Sequence, residues 1–202
     1  MTLLSLLSLC VCRRHNTILL PHVAQNHVHM VRPLCPDTQA RFNGLPLLQL
    51  STQTLRGQVL PAQNILVVEN TQSGYGLPEL KNTAVVFGGG TNVSWMDATW
   101  LQEKNIAYWG DIDSWGFSFL SDARQLQPKL DALMMDKLTV ETFQQRMCRE
   151  SAPCEKLPTN LSAEEIELFE ALGEGIYAGT RLEQERLSPD YIESALLRWL
   201  KN

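Results

Sequence analysis

With 202 residues, the chain is long enough for one α/β domain with modest extensions and a real core. Its 44% apolar and 19% charged residues exclude a disordered chain. The net charge of −5 leaves no basic excess of the kind that grips DNA unaided, because phosphate neutralisation drives such binding. A DNA substrate would therefore need metal ions, further sequence or partner subunits to supply positive charge.

The first 30 residues stand apart in composition. Thr2–Cys12 is apolar, but Arg13 and Arg14 follow it rather than precede it, the reverse of a signal peptide. All four histidines (His15, His22, His27 and His29) lie here, and the His27-Val28-His29 pair has no third ligand nearby. Residues 1–30 are expected to be a poorly ordered or non-native lead-in, and 31–60 a linker or remnant before the core. Cys10, Cys12, Cys35, Cys148 and Cys154 form no C-x-x-C pair, so they read as unpaired thiols of a reducing cytoplasm. No stretch approaches the roughly 20 apolar residues that span a bilayer.

From residue 61 the pattern is regular. Asn64–Glu69 is a β-branched run ending at a carboxylate, with Ser73, Gly74 and Gly76 signalling a loop after it. Ala84–Phe87 is a second buried strand, closed by Gly88, Gly89 and Gly90. Thr91–Lys104 has helical spacing, with Thr91 or Asn92 as cap. Ile106–Gly110 is a third strand leading into Asp111-Ile112-Asp113, and Ser114 can cap a helix that runs to about Gln127 before Pro128. Leu130–Met135 reads as a fourth strand or extended segment before Asp136. This alternation over 61–160 predicts a parallel sheet with right-handed crossovers. Residues 161–202 are a helical extension. Ser162 and Glu165 open its first helix with a capping box, and Ser188-Pro189 starts an amphipathic last one.

Ligands of an open parallel sheet bind at the carboxyl ends of its strands. Glu69, Asp111, Asp113 and Asp136 all follow strands, so they are expected to converge on one edge. Carboxylates that close repel one another and call for a hard cation, Mg²⁺ or Mn²⁺, a combination suited to phosphodiester chemistry. Taken alone, Asp111-x-Asp113 is equally well a helix cap beside a solvated carboxylate. Gly88–Gly90 could form a phosphate-binding nest or only a tight turn. Tyr108, Trp109 and Trp115 flank the aspartates and are expected in the core. Arg181 and Arg186 could hold a phosphate or balance the glutamates around them.

Several elements together are more specific: Val67-Val68-Glu69-Asn70, the Gly88–Gly90 turn, Tyr108–Asp113, Ser114–Phe117, Leu133–Asp136 and Leu182–Glu185. Over roughly Val31–Asn202 they resemble the C-terminal domain family of the Wadjet protein JetD. The resemblance implies a Toprim fold, an α/β core with a C-terminal helical extension. It also implies a metal-dependent DNA endonuclease of a plasmid-defence system that acts on double-stranded DNA, with an SMC-like ATPase, a kleisin and an accessory subunit. Glu69, Asp111 and Asp113 correspond to Toprim metal ligands, and Glu69 also to a general base. Asp136, Glu183 and Glu185 match other acidic family positions, and a homodimer is compatible. Family members carry more sequence before the Toprim part. The alternatives are a truncated remnant that only docks to partners, inactive as an enzyme, and a D-x-D phosphohydrolase with Asp111 as nucleophile.

Overall fold

The computed structural model of the protein describes residues 27–89 and 92–201. The expected position of a lead-in over residues 1–26, and Gly90 and Thr91, lie outside these residues.

Six strands form one sheet: β1 (Val28–Pro33), β2 (Leu48–Ser51), β3 (Asn64–Val68), β4 (Thr83–Phe87), β5 (Asn105–Trp109) and β6 (Asp131–Ala132). Their spatial order is β2-β1-β4-β3-β5-β6. β4, β3, β5 and β6 run parallel, while β1 is antiparallel to both β2 and β4. The α/β expectation therefore holds, in the mostly parallel form that a Toprim-type core takes. The centre is dry: Ile65, Leu66, Val67 and Val68 of β3 and all of Thr83–Phe87 are buried. Each such aliphatic side chain contributes about 1.5–3 kcal/mol of burial. A strand buried on both faces reads as a continuous apolar run, which is why β3 and β4 were plain in the sequence.

Several elements differ in detail from the sequence reading. Residues 28–30 belong to β1, and 31–60 supply the rest of β1, helix α1 (Pro36–Arg41), β2 and helix α2 (Thr52–Gly57). The loop expected after Glu69 contains a short helix, α3 (Thr71–Tyr75), capped by the Asn70 side chain, which accepts from Gln72 N at 2.7 Å and Ser73 N at 3.3 Å. The helix expected over Thr91–Lys104 is two 3₁₀ turns, Ser94–Asp97 and Thr99–Glu103. Ala98 between them is extended (ψ 126°), and this break lets Trp95, Met96 and Leu101 all reach the core. The fourth strand shortens to β6 because Met134 takes a left-handed φ of 55°.

Helices α4 (Ser114–Leu126) and α6 (Ala163–Gly173) pack on one another. The capping box of α6 is formed as expected, with Ser162 and Glu165 each accepting from the other's backbone N–H. Glu165 also takes both Nη atoms of Arg124, which fastens α6 to α4. Helix α5 (Lys137–Phe143) follows β6, and α7 (Pro189–Trp199) buries Ala195, Leu196 and Trp199 along one stripe. No helix among the described residues is long and apolar enough to cross a membrane.

A candidate metal centre at the carboxyl edge of the sheet

The topology selects one place on this sheet. From β3 the chain moves to β4 on one side, and from β5 it moves to β6 on the other, so the connections diverge between the neighbours β3 and β5. Divergence of this kind opens a crevice at the carboxyl ends, where open α/β sheets bind ligands. Glu69 is the residue after β3, and Asp111 lies two residues after β5. The Glu69 N–H extends the ladder to Trp109 O at 3.1 Å.

Glu69, Asp111 and Asp113 come together there. Glu69 Oε2 lies 3.4 Å from both the Asp111 backbone N and the Tyr108 hydroxyl. Gly110 makes room for this: a Cβ on it would stand 2.7 Å from Glu69 Oε2. Asp111 and Asp113 are both buried, at 5% exposure. Asp113 caps α4 by accepting from Gly116 N at 2.7 Å, so the cap reading of this residue is also true. Gly116 is equally constrained, because its Cβ would fall 2.0 Å from the Asp111 carbonyl oxygen.

Charge follows geometry. Burial first, and then the fields of Asp111 and Asp113, raise the Glu69 carboxyl from 4.5 to about 7. Asp113 is raised to about 6, again first by burial, with Glu150 and Asp111 adding to it against the Gly116 N–H and Arg181. These carboxylates are under-neutralised.

The residues that manage this charge come from a distant segment. Thr180–Leu182 lies extended between two bridges. Cys148 N donates to Arg181 O at 2.9 Å, and Ile112 and Leu182 exchange a pair of 2.9 Å bonds. Gly179 permits the first bridge, since a Cβ there would sit 2.5 Å from Cys148 O. The Arg181 guanidinium is thereby carried over the aspartates. Its Nη2 is 2.7 Å from Asp111 Oδ2 and 3.7 Å from Glu183 Oε1, and its Nε is 3.2 Å from Asp113 Oδ2. Gln184, 1% exposed, ties both strand ends together. Its backbone N donates to Asp111 Oδ1 at 2.9 Å, its Nε2 to Trp109 O at 2.9 Å, and its Oε1 accepts from Asn70 N at 2.8 Å. Glu150, also buried, accepts from Ser114 Oγ at 2.8 Å and Ser114 N at 3.3 Å, one residue from Asp113. Arg181 was weighed in the sequence only as a phosphate holder or a balance for glutamates; Gln184 and Glu150 carried no role there.

The other expected site residues have further partners of their own. Asp136 is exposed and turned to its own helix, accepting from Thr139 N at 2.8 Å and Thr139 Oγ1 at 2.7 Å as the cap of α5. Glu183 pairs with Arg181 and, at 3.2 Å, with Arg186. Glu185 accepts from the Asn70 side chain instead. Gly88 supplies a left-handed turn (φ 75°), and Gly89 lies against the His29 ring, where a Cβ would stand 2.1 Å from Nδ1. Tight turning and close packing account for both of these glycines. Tyr108 and Trp109 are in the core, but Trp115, in the first turn of α4, is 45% exposed and stacks on Phe119.

The donor set suits a hard divalent cation: oxygen ligands only, clustered, and carrying excess negative charge. Among the described residues, however, no three acidic, histidine or cysteine side chains are already arranged as a metal-ligand group. Asp111 and Asp113 are both turned to Arg181.

The molecule is thus an α/β protein with a buried carboxylate cluster at the switch point of a mostly parallel sheet. Residues 20–196 match the family described as Wadjet protein JetD, C-terminal, and the chain belongs to that family. The match starts before Val31, where the resemblance in the sequence had begun. No curated protein matches the chain. Membership makes the protein a component of a Wadjet anti-plasmid system.

Proposed function

We propose that the protein is the metal-dependent nuclease subunit of its Wadjet system, cutting double-stranded DNA at the Glu69–Asp111–Asp113 cluster. The observation that carries this reading is the convergence of three carboxylates from neighbouring strand ends on the switch-point crevice, in a chain of this family. Glu69, Asp111 and Asp113 would hold Mg²⁺ or Mn²⁺, and the cation would supply charge neutralisation and an acidified water for phosphodiester hydrolysis. Glu69, at the end of β3 beside Asp111, would also be placed to take a proton from the attacking water. Gln184 fixes Asp111 and the β3 and β5 ends relative to one another, so the ligands are held before substrate arrives.

With 22 acidic against 17 basic residues, the isolated chain repels DNA at long range. Cleavage therefore belongs to the assembly with the SMC-like ATPase, kleisin and accessory subunit, which would present the DNA. The test is supercoiled plasmid with Mn²⁺ at low salt, with and without those partners, using wild type and Asp111→Asn. Cleavage is expected only with partners and only with wild type. Equal cleavage by Asp111→Asn would remove the cluster from the reaction.

A further inference from the structure

Arg181 Nε is one of three shielded side-chain nitrogens without a hydrogen bond among the described residues, beside Arg32 Nε and Trp199 Nε1. The Arg181 backbone is pinned on both sides by the bridges to Cys148 and Ile112–Leu182. Its guanidinium nevertheless reaches three carboxylates, those of Asp111, Asp113 and Glu183. The Nε atom is shielded from solvent and has no hydrogen bond of proper geometry, although Asp113 Oδ2 is 3.2 Å away. Nη2 donates a hydrogen bond to Asp111 Oδ2 at 2.7 Å, whereas the Nε approach to Asp113 is one of charge with charge. The side chain is 37% exposed, against 7% for each aspartate side chain, so it has a path outward that they lack.

Guanidinium and divalent metal make the same demand on this site, since each seeks the outer oxygens of Asp111 and Asp113. We propose that Arg181 is the built-in counter-ion of the cluster, occupying the place of the divalent cation and giving it up when the cation binds. This rests on the reading of Glu69, Asp111 and Asp113 as metal ligands. Arg181 is thus a positioning residue. It keeps the buried carboxylates from repelling one another before metal arrives, and it makes metal binding an exchange of one cation for another. The displaced guanidinium remains tethered at the crevice by its pinned backbone, where a planar fork suits a phosphate. An exchange also weakens metal binding, because the ion-pair energy of Arg181 is lost whenever metal is gained.

The experiment measures Mn²⁺ binding to the purified chain at low salt, by calorimetry and by the paramagnetic signal of free Mn²⁺, for wild type, Arg181→Gln and Arg181→Lys. Removing the competing charge should tighten binding in Arg181→Gln by at least about tenfold, with Arg181→Lys between the two. A second measurement is read on wild type itself, with a variant used only for assignment. The protected Nε–Hε resonance of Arg181, assigned by its loss in Arg181→Lys, should shift and enter solvent exchange when Mg²⁺ is added to wild type. Unchanged or weaker Mn²⁺ affinity in Arg181→Gln, with an unmoved Arg181 resonance, overturns the exchange and leaves the metal site standing. No binding by either wild type or Arg181→Gln overturns the metal reading, and the exchange with it.

Discussion

Two buried polar sites lie on either side of β4, and they solve the problem of burial in opposite ways. On the antiparallel side, His29 of β1 is 2% exposed, lies edge-on to Trp95 and bonds Thr52 Oγ1 at 3.0 Å. Burial, with His27 adding to it, lowers its pKa to about 4, so it is neutral and costs the fold no charge. At the carboxyl edge of β3 and β5, Asp111 and Asp113 are nearly as deeply buried but are paired with the guanidinium of Arg181. A purely structural polar group is under pressure to shed its charge, as His29 does. A cluster that keeps several carboxylates together is arranged for a cation, and this separates a candidate site from a satisfied core residue.

Both places depend on a glycine, and this gives the largest expected effect. Gly116→Ala puts a Cβ 2.0 Å from the Asp111 carbonyl, a backbone atom that cannot turn aside. The loss should exceed about 3 kcal/mol in urea unfolding. Gly89→Ala meets the His29 ring at 2.1 Å, a side chain that can move at the expense of its Thr52 bond. It should cost less. If the two variants were equally stable, the carboxyl edge would be less rigid than its geometry indicates.

Next comes the Arg124–Glu165 pair, a buried ion pair with no part in the cluster. Its side chains are 17% and 11% exposed, and Nη2 meets Oε1 at 2.8 Å. Arg124→Met strands Glu165 and should cost about 3 kcal/mol. Unlike Asp111→Asn, it should leave the gain in thermal stability from Mn²⁺ intact. A lost metal response in Arg124→Met would mean that the response reports general packing and not the cluster.

The sequence showed the cluster's strand-borne half and hid the rest, for a physical reason. Glu69 and Asp111 announce themselves because a dry apolar run stops at a carboxylate, a local pattern. Asp136 shows the same pattern; there the chain goes on into a helix, and the carboxylate serves as its cap. Arg181, Gln184 and Glu150 act on residues 36 to 114 positions away, and the bridges at Cys148 and Ile112 bring them near. One signal was present. It is the lone apolar Leu182 within Arg181–Arg186, although the alternate burial of Leu182 and Gln184 appears only in the folded chain. His29 stood in a stretch expected to be a loose lead-in, because a single buried histidine in a short strand has no periodicity to betray it. The capping box of α6 was plain throughout, since both its partners lie within one turn.

The smallest effect is the most specific to the comparison, because the two places respond to pH with opposite sign. At low pH the Glu69 carboxyl is protonated in the folded and unfolded chain alike and imposes no penalty. Between 4.5 and about 7 the unfolded chain releases the proton while the folded chain retains it, so stability falls as pH rises. Asp113 adds to that fall between 3.8 and about 6. For His29 the sign reverses. Between about 4 and 6.5 the unfolded chain binds a proton that the folded chain refuses, so stability rises with pH. Each tenfold displacement of a proton equilibrium is worth about 1.4 kcal/mol, so the two carboxyls together outweigh the single histidine roughly twofold. Without divalent metal, His29 should offset only part of the decline from the two carboxyls up to pH 6.5, and the last of the Glu69 decline should then show alone. Urea unfolding from pH 4.5 to 8 in chelator is the measurement. Glu69→Gln should leave a weaker decline than wild type and be more stable than it at pH 8 by about 2 kcal/mol. His29→Gln should instead show the full decline from the lowest pH. Parallel profiles for wild type and Glu69→Gln would mean that the Glu69 carboxyl is not strained by its neighbours, and that the carboxyl edge shares the neutral logic of His29.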